Sequence, residues 1–344
     1  MNAPTNNATA PVLSVRNLTT SFRTDMGIVT AIDGVSFDLA AGETLGIVGE
    51  SGCGKTVTSK SIMRLLPEHL TIYGPDSKVM FEGSNLMKAN ERTMRRVRGD
   101  KIAMIFQEPM TSLNPVFRIG WQLEEALKYH TDLNRSERRE RAIEMLRLVE
   151  IPNPEHRVRE YPHQLSGGMR QRVMIAIALC CEPSILIADE PTTALDVTIQ
   201  AQILDLMASL KKKLNTAIML ITHDLGVIAQ VCDRVLVMYA GRVIEDASVH
   251  DIFYRPQHPY TQALLESIPR SGGKERGKRL PTIEGMVPSL HELPSGCRFS
   301  ERCRYCEDRC VQEEPDLLRA EDGRRVRCHF PLSADRTAAA RGET

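Results

Sequence analysis

Gly49-Glu50-Ser51-Gly52-Cys53-Gly54-Lys55-Thr56 is the stretch on which the fold turns. It matches G-x-x-x-x-G-K-[ST], the pattern of a phosphate-cradling P-loop. Leu45-Gly46-Ile47-Val48 leads in as a buried strand, and Thr56 onward, with Val57, Ser59, Ile62, Met63 and Leu66, reads as a helix. That strand-loop-helix context separates the motif from an ordinary glycine-rich turn. The glycines open backbone angles closed to other residues, so successive N–H groups can curl round a phosphate while the helix N-terminus adds partial positive charge. Lys55 is expected on the β- and γ-phosphates and Thr56 on Mg²⁺.

Downstream, three apolar strands end on polar groups. Ile102-Ala103-Met104-Ile105-Phe106 runs into Gln107; Ser184-Ile185-Leu186-Ile187-Ala188 into Asp189-Glu190; Ala217-Ile218-Met219-Leu220-Ile221-Thr222 into His223. In an open α/β sheet, ligands bind at the carboxyl ends of strands. One acid of Asp189-Glu190 suits Mg²⁺ and the other can orient or deprotonate a water; with a P-loop upstream this outweighs a reading as solvated charge. Leu165-Ser166-Gly167-Gly168-Met169-Arg170-Gln171-Arg172 opens a helix with a hydroxyl and bare N–H groups, either a second phosphate site or a simple cap.

Upstream, Leu13–Val15, Val29–Ile32 and Val35–Leu39 have the alternation of an antiparallel sheet with one wet face. Phe22 lies between them in a stretch read as a polar loop, where it either stacks on a flat base or packs a small core. Residues 110–180 turn helical (Trp121 to Tyr129, Ser136 to Glu150, Gly168 to Leu179), with prolines at 152, 154 and 162 marking the connections. They read as a helical insertion. Val235 to Glu245 reads as a hairpin, residues 1–10 as a disordered tail, and 270–279 as a linker.

The 344 residues exceed one typical core, so a main domain with a smaller appendage is expected. Because 44 basic residues cancel 44 acidic ones, net charge gives no reason to expect a nucleic-acid partner. No run approaches the ~18 apolar residues of a membrane span and the N-terminus has no apolar signal region, so a cytoplasmic chain is expected. Five of the nine cysteines, Cys297, Cys303, Cys306, Cys310 and Cys328, crowd the C-terminus, which in that compartment favours metal over disulfides.

The P-loop, Gln107, the Leu-Ser-Gly-Gly-Met segment, Asp189-Glu190, Ala194-Leu195-Asp196 and His223, in this order and spacing, resemble the ATP-binding subunit of ABC transporters over roughly residues 12–250. Gln107-Glu108-Pro109-Met110-Thr111-Ser112-Leu113-Asn114-Pro115, His258-Pro259-Tyr260-Thr261 and Gly296-Cys297-Arg298-Phe299 resemble the oligopeptide/dipeptide importer branch, in its D-type subunit. The resemblance implies an α/β P-loop NTPase fold: an ABC nucleotide-binding domain (residues 11–255) with mixed sheet core, antiparallel β subdomain and inserted helical subdomain. A small Cys-rich C-terminal extension (256–335) and a tail (336–344) would follow.

It implies Phe22 stacking on adenine, residues 49–56 binding ATP, and Thr56, Gln107 and Asp189 serving Mg²⁺. Glu190 becomes general base and His223 the γ-phosphate switch. Ser166, Gly167, Gly168, Met169 and Gln171 would serve the ATP of a partner ATPase, with Asp196 in the D-loop. Partners would be that second, related ATPase chain, two permeases and an extracytoplasmic binding protein, with this chain peripheral on the cytoplasmic face of the inner membrane. Cargo would be peptide, with nickel, sugar or cell-wall peptide as alternatives. A soluble ABC ATPase of DNA repair or translation is a rival, but those carry two cassettes or a long coiled-coil insertion.

Cys297, Cys303, Cys310 and Cys328, separated by five, six and seventeen residues, are similar to the pattern that in this family implies a four-iron four-sulfur cluster. Zinc is the runner-up and disulfides come third. Cys303-x-x-Cys306 competes for the ligand set, having ordinary metal-ligand spacing. Cys53 departs from the common Ser of the loop. Its place at a helix N-terminus predicts a lowered thiol pKa and alkylation that ATP blocks.

Overall fold

The computed structural model describes residues 10–107, 112–193, 195–268 and 282–333. The tails, the linker at 270–279, Glu108 to Thr111 and Ala194 lie outside the described residues wholly or nearly so.

In chain order the elements are β1 Leu13–Thr24, β2 Gly27–Leu39, β3 Thr44–Val48, α1 Lys55–Ile62, β4 Thr71–Tyr73, β5 Lys78–Phe81, β6 Ser84–Asn85, α2 Glu91–Val97 and β7 Ile102–Ile105. Then come α3 Ile119–His130, α4 Arg135–Leu148, α5 Pro154–Arg157, α6 Gly167–Leu179, β8 Ile185–Asp189, α7 Val197–Leu214 and β9 Ala217–Ile221. The chain continues through α8 Leu225–Val231, β10 Arg234–Tyr239, β11 Arg242–Ser248, α9 Val249–Tyr254, α10 Pro259–Glu266, α11 Asp308–Gln312, β12 Leu318–Arg319 and β13 Arg325–Val326. Phe22 therefore stands within a strand, opposite Thr71 of β4, and not in a loop. Polar Thr19, Thr20 and Ser21 hid the strand from an apolarity pattern, since Thr20 is buried by bonding Ser61 Oγ at 2.8 Å.

The residues divide into two compact units. The first comprises Met1–Val15, Phe37–Thr44 and Lys78–Ile221. Its sheet runs β9-β8-β7, all parallel, with Ile105 beside Ala188 and Asp189 beside Ile221. Ile185, Leu186, Ile187 and Ala188 are buried, as a parallel strand covered on both faces requires. α3, α4 and α6 pack together over Leu123, Leu127, Ala142, Met145, Leu146 and Val173. Asn134 opens α4 with a capping box closed by Glu137.

The second unit comprises Arg16–Ser36, Leu45–Ser77 and Thr222–Thr344. Its sheet is mixed: β3 lies parallel to β10, β10 antiparallel to β11, and the short β13 and β12 extend it. α10 and the segment around Phe299 close over β10, with Tyr239, Tyr260 and Phe299 forming a ring-packed core at centroid distances of 4.8, 5.2 and 5.4 Å. Buried His258 caps α10 by accepting the Tyr260 N–H at Nδ1 (3.0 Å).

Candidate active site

In the second unit, residues 49–54 form the turn between β3 and α1. Gly54 has φ +101°, and a Cβ there would meet Ile32 Cγ2 at 2.6 Å; Gly49 has φ +152° and lies against the Met238 carbonyl. Both positions therefore demand glycine, for backbone angle and space together. Lys55 Nζ donates to the carbonyls of Gly49 (2.7 Å) and Glu50 (3.1 Å), so the ammonium is folded over its own loop. Ser51 and Gly52 are exposed, and Thr56 is half-buried in the first turn of α1.

Not every loop amide is available to a phosphate. The Glu50 N–H donates to Tyr260 Oη (2.9 Å) and the Cys53 N–H to the Glu50 carbonyl (3.3 Å). Cys53 corrects the sequence expectation: its thiol is buried, and burial pushes it up despite the pull of nearby Lys55, so it is neither activated nor accessible. Position at a helix N-terminus lowers a thiol only while water or charge still solvates the thiolate. His223 is exposed two residues past β9, between Thr222, whose Oγ1 accepts from the Asp224 N–H, and Asp224, which caps α8.

In the first unit the parallel strands bring the expected Gln107 and Glu190 together at one sheet edge. Gln107 Nε2 donates to Glu190 Oε2 (3.1 Å), and the Thr193 hydroxyl donates to the same oxygen (3.0 Å). Asp189 is buried at the end of β8, and Glu190 follows with φ +49°, its N–H held by the Ile221 carbonyl at 2.8 Å. A left-handed glutamate is uncommon and costs about 1–3 kcal/mol, which the flanking bonds must hold in place. Ser166 caps α6, accepting from the Met169 N–H, and a Cβ on Gly167 would meet open space. Gln171 points inward and donates to the Pro191 carbonyl, tying α6 to the residue after Glu190. Asp196 caps α7 through the Ile199 N–H. Thr193 was missed in the sequence, where a hydroxyl three residues after an acid carries no signal.

Cys297, Cys303, Cys310 and Cys328 line one cavity with His258, Phe299 and Phe330, and Cys306 is exposed outside it. All nine cysteines are free, so the disulfide alternative is not realised. Among the described residues no group of three or more His, Cys, Asp or Glu side chains converges to hold a metal. The expected cluster ligands thus share a cavity without forming a cage. Burial raises the Cys303 thiol to about 11 and Cys328 to about 12, with neighbouring cysteines adding to both.

Family models match at two places: ABC transporter over residues 32–193, and oligopeptide/dipeptide transporter, C-terminal region, over 244–310. A probable peptide ABC transporter ATP-binding protein of Sinorhizobium fredii is 54% identical over 92% of this chain and 94% of its own. The chain belongs to the oligopeptide/dipeptide family of ABC transporter ATP-binding subunits. This ABC subunit is also 48% identical to a dipeptide transport ATP-binding protein of Escherichia coli, over 93% of this chain and 97% of that one. A dimeric ATP-binding cassette bound to ADP and Pi matches with TM-score 0.61 at 28% identity, covering 69% of this chain and 98% of the cassette. The ABC subunit is an ATPase by family, and among its described residues no helix is long and apolar enough to cross a membrane.

Proposed function

We propose that this subunit hydrolyses ATP to drive import of di- or oligopeptides, bound peripherally at the cytoplasmic face of the membrane to two permeases that receive cargo from an extracytoplasmic binding protein. Identity near half over almost the full length of subunits named for peptide transport carries this reading. A second, related ATPase chain would pair with it head to tail, its nucleotide meeting Ser166, Gly167, Gly168, Met169 and Gln171 of this one.

Phe22 would stack on adenine, and residues 49–56 would hold the phosphates. Thr56, Asp189 and Gln107 would hold Mg²⁺, which neutralises phosphate charge when bound. Glu190 accepts the proton of the attacking water. The Gln107 amide and the Thr193 hydroxyl both donate to Glu190 Oε2 and so hold the carboxylate in one orientation for that role. His223 positions the γ-phosphate, and Asp196 lies in the D-loop toward the partner ATPase.

For the C-terminal module, four thiols in one cavity have the donor chemistry of an iron–sulfur cluster, and Cys306 outside it is not among the ligands. Anaerobic purification with iron, zinc and visible absorbance measured tests this. A brown protein whose Cys306→Ser variant keeps its iron is expected; a colourless chain with one zinc would refute the cluster.

Retention of permeases in a detergent pull-down, with peptide raising ATPase turnover, tests the main reading. Recovery with ribosomes or DNA instead would contradict it.

A further inference from the structure

Glu50, the second residue of the P-loop, is held at three points within the second unit. Its N–H goes to Tyr260 Oη (2.9 Å) and its carbonyl accepts from Lys55 Nζ (3.1 Å). Its carboxylate takes a two-pronged contact from Arg302: Nη1 to Oε2 at 2.7 Å and Nη2 to Oε1 at 3.1 Å. Arg302 lies 252 positions along the chain, its side chain only 6% exposed. Nη1 also donates to Tyr239 Oη (3.2 Å), Nε to the Glu284 carbonyl (3.0 Å), and the guanidinium sits 5.7 Å from the Tyr239 ring centre. The contact with Glu50 raises the Arg302 pKa further, so the guanidinium is charged at every working pH.

An acid in a phosphate-binding loop is a liability: it repels the polyphosphate and competes for the loop lysine. We propose that Arg302 is a positioning residue for ATP. By engaging the Glu50 carboxylate from the side of the C-terminal segment, it neutralises that charge, keeps the carboxylate from capturing Lys55, and fixes the Gly49–Glu50 peptide whose carbonyls position Lys55 Nζ at the loop. A planar fork suits this better than a point charge. The idea rests on the ATPase reading above.

The test is steady-state hydrolysis by the assembled transporter. Arg302→Ala is expected to raise KM for MgATP about tenfold while kcat stays within about twofold, the pattern of lost ground-state binding. Adding Glu50→Gln removes the competing carboxylate, and the double variant is expected to return to within about threefold of the parent KM, since paired sites are non-additive. Arg302→Lys is expected between Ala and parent, and supplies the reading if the Ala variant cannot be recovered folded. An unchanged KM in the Lys or Ala variant, or a double variant no better than Arg302→Ala, would overturn the proposal. A parent without MgATP turnover would instead count against the ATPase reading itself.

Discussion

At the residue scale, the proposed mechanism turns on Glu190. Its backbone sits at φ +49°, and one of its oxygens already takes two hydrogen bonds, so the carboxylate is oriented before any water arrives. Glu190→Gln should retain MgATP binding and lose turnover by a factor of about 100 or more, measured by nucleotide titration and phosphate release. Gly54→Ala should cost about 2 kcal/mol or more, read as a lower thermal midpoint, because φ +101° and the contact with Ile32 penalise a methyl together. Maleimide should leave Cys53 unlabelled in the folded chain with or without ATP; rapid labelling without nucleotide, by mass spectrometry, would contradict its burial.

What could be read ahead at this scale was whatever short sequence patterns encode. The P-loop glycines, Gln107, the two acids and His223 each end a legible apolar strand. Thr193 and Arg302 were not legible: the first is one threonine among many, and the second acts across 252 positions through a fold that no local pattern records.

Among the elements, β7, β8 and the helices α3, α4 and α6 followed from periodicity; the short α5 stands where prolines read as a connection, and β1 was read too short because its buried polar residues break the alternation. The turn between α9 and α10 holds a titrating group whose effect is measurable. Burial lowers His258 to about 3 from an ordinary 6.5, so it stays neutral in the folded chain. Below pH 6.5 the unfolded state binds the proton and the folded state does not, so stability falls by about 1.4 kcal/mol per pH unit from 6.5 down toward 3. At higher pH this contribution is constant. His258→Asn keeps a capping oxygen for Tyr260 and removes the titration. Urea midpoints of the parent should drop between pH 7 and 5 more steeply than those of the variant; parallel slopes would show that His258 is protonated when folded.

For the whole molecule, the P-loop and His223 belong to one unit, and Gln107, Asp189, Glu190 and the Ser166-Gly167-Gly168 segment to the other. In the proposed pairing a partner's nucleotide would lie over Gly167, where an added Cβ would meet nothing within 4 Å. An isolated chain should therefore bind MgATP yet turn over slowly, with activity per chain rising as concentration drives pairing; full turnover by a monomer would exclude the shared site. Uptake of a labelled peptide into liposomes containing the permeases, this subunit and its ATPase partner, with binding protein outside and MgATP inside, tests the central claim most directly. Uptake that requires MgATP and disappears with Glu190→Gln is the predicted result; uptake that is independent of MgATP, or unchanged in that variant, would contradict it.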